Sequence, residues 1–290
     1  MNSTLSPSSG PCVLTVGVDL AKGDVNTAIC TIRWEEGRAL VEALVVRADD
    51  HAVLAAARAP NVAAIALDAP FGWPVAMVSA VSSWRVGGRW AKPSDKAFRL
   101  RRTDVVTAVR TREAASRHKP MGVEPAVPLS VSADKIAMVA WRCCGLLDEL
   151  ALEGATIVTD SLGMTFPADG ARRVFEAYPA AALAVWGVPR AGYKGEGGAA
   201  EHVRERVLAT VERSCTGTCF RWASDLRERC VKTDHALDAF VCALVARAAT
   251  LGLVDLVPSE DVTSARAEGW IAVPDQTSLT RLSGGTAETR

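Results

Sequence analysis

The chain has 290 residues, 49% of them hydrophobic and 23% charged, with a formal net charge of zero; that is ample for one large domain or two small ones around a sizeable core. No run of about 18 uncharged apolar residues occurs, so no transmembrane helix and no membrane partner is expected. Eight cysteines form no CxxC pair and no zinc-ligand spacing, which excludes a zinc or disulfide framework and favours a reduced, cytoplasmic protein.

The opening MNSTLSPSSGP has neither the basic nor the apolar region of a secretory signal, and residues 1–11 are expected to form a disordered arm. The polar stretch 275–290 is expected to be a flexible tail, which leaves 12–274 as a single domain. VLTVGVDL, from Val13, reads as a strand buried on both faces that ends on a carboxylate, Asp19, before a turn at Lys22-Gly23-Asp24. VNTAICTIRW and ALVEALVVR follow as second and third strands, joined by a turn at Glu35-Glu36-Gly37, and together the three predict an antiparallel meander. DDHAVLAAARAP predicts a helix capped by Asp49 or Asp50 and stopped by Pro60. NVAAIALDAPFGWP is a fourth apolar strand that again ends on a carboxylate, Asp68. Two buried strands thus deliver an acid at the C-terminal edge, where open α/β sheets place their sites.

The composition changes after the helix that begins VAMVSAVSS. Between Trp84 and Lys119 eleven Lys and Arg residues stand against three acids, Asp95, Asp104 and Glu113, and Trp84, Trp90 and Phe98 are interleaved with them. A solvated helical face is one reading; a phosphate-binding surface is the other, with Arg99, Arg101, Arg102, Arg110 and Arg112 as its cations. A Pro-rich link at 120–128 and an amphipathic helix over 131–149 complete a helical insertion around 84–150. ARRVFEAYPAAALAVWG predicts a fifth strand ending near Glu176 and a helix from about Pro179; helices are then expected over 199–214 and 219–230. GYKGEGG is a loop, since no strand precedes it as a dinucleotide fingerprint would require. TDHALDAFVCALVARAATLG predicts a helix of about five turns, and EGWIAVP a short strand-like piece.

In that long helix Asp234 and Asp238 lie four apart on one side. Asp234, beside Thr233, also reads as an N-terminal cap. Asp238 sits in an apolar second turn, where an unpaired carboxylate is costly and a divalent cation would offset it. Hard oxygen ligands without His or Cys select Mg²⁺ or Mn²⁺, and a pair of such ions is the apparatus for in-line displacement at phosphorus.

The motifs GVDLAKGD, IALDAPFGWP, RRTD, FEAYPAA, YKG, DHALDAF and EGWIAVP, in this order, resemble the domain of unknown function 429 family over about residues 14–274. The resemblance implies a ribonuclease H-like α/β fold: a mixed five-stranded sheet, an antiparallel meander plus parallel strands, flanked by helices. It also implies a predicted nuclease with an acid pattern similar to RuvC-type resolvases, in which Asp19, Asp68, Asp234 and Asp238 match the metal ligands and Glu176 matches the family's own acidic motif. On this reading Asp19, Asp68, Glu176, Asp238 and Lys194 are catalytic, with Asp19 shared between two ions, Lys194 or an Arg of RRTD neutralising developing charge, and DNA or RNA as the partner. Two alternatives remain: a phosphotransferase of the actin and sugar-kinase type, which needs a second half with its own GVDLAKGD-like strand, and a catalytically inactive nucleic-acid-binding module.

Overall fold

The computed structural model describes residues 12–87, 95–158 and 172–283. The expected N-terminal arm, Trp90 and the end of the expected tail lie outside the described residues. In chain order the elements are β1 (Val13–Asp19), β2 (Ala28–Glu35), β3 (Arg38–Val46), α1 (Asp50–Arg58), β4 (Val62–Asp68), α2 (Val75–Arg85), α3 (Asp95–Arg99), α4 (Arg102–Arg117) and α5 (Ala137–Leu152). They continue as β5 (Thr156–Ile157), β6 (Arg173–Glu176), α6 (Pro179–Val185), α7 (Gly198–Ser214), β7 (Cys219–Trp222), α8 (Leu226–Lys232), α9 (Asp234–Thr250) and α10 (Val262–Glu268).

The strands form one mixed sheet in the order β5-β6-β4-β1-β2-β3-β7. β1, β2 and β3 make the expected antiparallel meander, and β4 and β6 join β1 in parallel. The sheet has seven strands, not five. β5 is only two residues long and has no detectable period. β7 occupies the start of the stretch expected to be helical over 219–230; its residues alternate in exposure and pair with the edge of β3, and a period of two defeats a helix there. The helix expected from 131 begins instead at Ala137.

Both faces of the sheet are covered. On one, Val16, Val18, Ile65, Leu67 and Val174 pack with Val53 and Ala57 of α1 and Cys143, Leu146 and Leu150 of α5. α5, expected as part of an insertion, is therefore a layer of the core. On the other face lies α9, buried along its whole length from Ala236 to Thr250. A helix that is apolar all round has no side for water: it is enclosed by the sheet and by residues of α6, α7 and α8 such as Leu183, Leu208 and Cys230. Among the described residues no helix is long and apolar enough to cross a membrane.

The face carrying α9 is built from small side chains. Thr15 and Gly17 of β1 lie against α9: the Thr15 hydroxyl donates to Ala243 O at 3.0 Å and accepts from Trp34 Nε1 at 2.8 Å. A Cβ on Gly17 would stand 2.1 Å from both Ala239 O and Ala243 N, so only glycine admits the helix at this depth. Ala64 and Ala66 of β4 belong to the same core as α9. Alternation along a strand then turns Asp19, two residues after Gly17, and Asp68, two after Ala66, towards α9 as well.

Candidate metal centre

Three carboxylates meet where β1, β4 and α9 converge. Asp19 and Asp68 are register partners at the ends of adjacent parallel strands. Asp238, in the second turn of α9, is fully buried. One oxygen of each can lie within 4.8 Å of the others, near enough to hold a cation among them. The close approach permitted by Gly17, Ala64 and Ala66 brings the helix-borne acid down to the strand ends.

The electrostatics of the group are those of acids short of positive charge. Burial, then the charges of Asp19 and Asp238, pushes the Asp68 carboxyl well above the usual carboxylate range. Burial likewise raises Asp238 to about 6, although Lys194 draws it down and Asp19 pushes it further up. The Lys194 ammonium bonds Asp238 Oδ2, and Tyr193 donates to Asp238 Oδ1 at 3.0 Å. Burial pulls the Lys194 pKa down, but Asp238, Tyr193, Asp19 and Asp68 outweigh it and the net shift is upward. His235 Nδ1 lies 2.7 Å from Asp19 Oδ2; that hydrogen bond outweighs partial burial and raises the imidazole pKa. Donors of hard oxygen, crowded and undercompensated, fit a divalent cation with oxygen preference.

The loop that carries Tyr193 and Lys194 is positioned by Arg204 of α7. This guanidinium is fully buried and donates to four carbonyls: Tyr193 O at 2.6 Å, Gly195 O at 2.8 Å, Val231 O at 2.6 Å and Lys232 O at 3.1 Å. One side chain thereby ties the lysine loop to the end of α8, immediately before α9 delivers His235 and Asp238.

Other sequence-derived residues stand outside the three-acid group, although Glu176 and Arg101 line the same cleft. Asp234 occupies the first turn of α9, where Thr233 is the cap, and its Oδ2 accepts from Gly195 N at 3.3 Å; the three-acid group does not contain it. Glu176 is buried and committed to a bidentate pair with Arg101, at 2.6 and 2.9 Å. Burial raises the Glu176 pKa against the opposing pull of Arg101. Arg101, 2% exposed, also bonds Asp104 at 2.8 Å and Glu268 O at 3.0 Å, so it is a buried cation committed to acids at the cleft wall. Arg102 pairs with Asp261 at 2.6 Å and Arg110 with Asp255 at 2.7 Å. Of the five arginines read as a phosphate surface, Arg99, Arg102 and Arg112 are exposed, Arg102 while paired with Asp261; Arg101 and Arg110 are engaged by acids of the C-terminal region, β6 or their own helix. His235, Tyr193 and Arg204 escaped the sequence reading. The first two lie inside the DHALDAF and YKG motifs, whereas Arg204 carries no local signal, being one cation of an amphipathic helix.

Beside the acids opens a cleft of about 440 Å³, whose polar lining is Asp19, Asp68, Lys194 and His235 together with Glu176, Arg101 and Arg190. Its remaining wall includes Pro70, Leu129, Ile136, Val139 and Tyr178.

A family model described as "Protein of unknown function (DUF429)" matches residues 17–263. No curated protein and no solved structure matches the chain.

Proposed function

The chain belongs to the DUF429 family of proteins of unknown function, and on that premise we propose that it is a metal-dependent nuclease, hydrolysing phosphodiester bonds of nucleic acid with Mg²⁺ or Mn²⁺. The observation that carries this reading is the meeting of Asp19, Asp68 and Asp238 from β1, β4 and α9 at one point. The meander β1-β2-β3 followed by parallel β4 and β6 supports a ribonuclease H-like core with two additional strands, β5 and β7.

Asp19, Asp68 and Asp238 would hold the cation, two ions being the number suited to displacement at phosphorus. When bound, such ions supply an activated water and a counter-charge to the phosphoryl oxygens. Lys194 lies at the mouth of the same cleft and, once the cation satisfies Asp238, can turn its ammonium to a substrate phosphate. His235, with Nδ1 engaged by Asp19, keeps Nε2 for a water or a substrate oxygen, in position to give or take a proton there. Arg204 keeps the lysine loop in register with both.

Cleavage of labelled DNA and RNA panels, single-stranded, duplex and branched, with Mn²⁺ or with chelator, tests the proposal. Mn²⁺-dependent cutting that disappears in Asp68→Asn is expected. Cutting that survives both chelator and Asp68→Asn, or no cutting of any panel member with Mn²⁺ shown to be bound, refutes it.

A further inference from the structure

The three carboxylates and a phosphate need only the polar end of the 440 Å³ cleft. The whole space falls within the ~300–1,000 Å³ of sites that enclose a small organic ligand. Pro70, Leu129, Ile136, Val139 and the ring of Tyr178 wall the remainder. Such a wall contributes nothing to chemistry at phosphorus; it removes from water an apolar or aromatic group attached to the phosphate.

The wall is built, not incidental. The Tyr178 hydroxyl donates to Val127 O at 3.1 Å, and Arg190 donates from Nη2 to Pro125 O at 3.0 Å and from Nε to Ala180 O at 3.1 Å. These bonds strap residues 125–129 along the cleft. Arg190 also lines it, and because its hydrogen bonds go to neutral carbonyls its charge stays available to an anion.

Resting on the nuclease reading above, we infer that the cleft receives one unpaired nucleotide at a time, so that the substrate is single-stranded or frayed nucleic acid and not intact duplex. The phosphodiester lies at Asp19, Asp68 and Asp238, the base against Tyr178, Pro70 and Leu129, and Arg190 faces a neighbouring phosphate. A base within a duplex reaches this wall only by leaving its stack.

The test measures binding of a cleavage-resistant phosphorothioate strand in Mn²⁺, alone and annealed to its complement, with thymidine 5′-monophosphate as a third probe. The single strand should bind about fivefold or more tighter than the duplex, the low end for one stacked base. Leu129→Ser, a change at an exposed side chain, should remove that preference while calorimetric Mn²⁺ affinity stays unchanged; Val139→Phe, which adds bulk to the cleft wall, should do the same. Equal binding of strand and duplex, or no effect of either variant, overturns the cleft assignment and leaves the metal centre standing. Tighter binding of the free nucleotide than of the strand also overturns it. A wild type that does not bind Mn²⁺ overturns the nuclease reading, and this inference with it.

Discussion

Replacing Asp238 by Asn should remove a pH-dependent loss of stability. In the metal-free protein, burial raises Asp238 from 3.8 to about 6 even with Lys194 beside it. The folded state therefore holds this proton more tightly than the unfolded state. The stability involved is fully present below the unfolded value and is lost as pH rises through about 6. A shift of about two units at 1.36 kcal/mol each is worth about 3 kcal/mol. Asn carries no charge at any pH, so in chelator the Asp238→Asn protein should gain on wild type by up to about 3 kcal/mol between about pH 4 and 7, a relative Tm change of roughly 6–12 °C. Relief of Asp68, which Asp238 pushes upward, acts in the same direction. The Lys194 side chain is 53% exposed and stays hydrated when its partner is neutralised. Mn²⁺ at a thousandfold excess over Kd should reverse the order near pH 7, because about 4.1 kcal/mol then accrues to wild type, more than the variant's gain of about 3 kcal/mol. Urea titrations with chelator or Mn²⁺ across this pH range provide the measurement. A gap that does not vary with pH, or a metal-free variant weakened by about 3–5 kcal/mol near pH 7 as when a buried pair loses one member, would refute the reasoning.

Three further outcomes are expected. Lys194→Met should tighten Mn²⁺ binding by roughly tenfold in calorimetry, since it removes a cation that competes for Asp238, and unchanged affinity would show that the ammonium does not compete. Arg101→Met strands Glu176 and Asp104 in the core and should cost about 3–5 kcal/mol in denaturant titration, whereas Arg99→Ala with Arg112→Ala should leave stability unchanged and reduce the salt slope of nucleic-acid binding by up to about 0.9 per lost contact; the opposite assignment of effects would return Arg101 to the substrate surface. Gly17→Ala places a Cβ 2.1 Å from two backbone atoms of α9 and should abolish the folded protein or displace the helix, seen as loss of near-ultraviolet dichroism and of Mn²⁺ binding.

What the residues announce locally is what the fold retains. β1 and β4 each carry an apolar run that ends on an acid, and α9 is apolar all round after its first turn apart from Asp238 near its start and Arg247 near its end; those patterns are local and need no partner to be read. Gly17 is legible as a break in a strand, but its purpose appears only when α9 lies on it. The basic stretch misled for the opposite reason. Arg101, Arg102 and Arg110 look like unpaired cations because their acids, Glu176, Asp261 and Asp255, lie far away along the chain. β5 and β7 are strands because a neighbouring edge pairs with them, not because two or four residues can display a period. Which acids cluster and which pair was likewise a tertiary decision. Asp19, Asp68 and Asp238 point into one space with too little positive charge around them, whereas Glu176 ends a strand in the same sheet but meets a buried guanidinium. Backbone periodicity is set by neighbours in the chain, and charge compensation by whichever side chain the fold brings within about 4 Å.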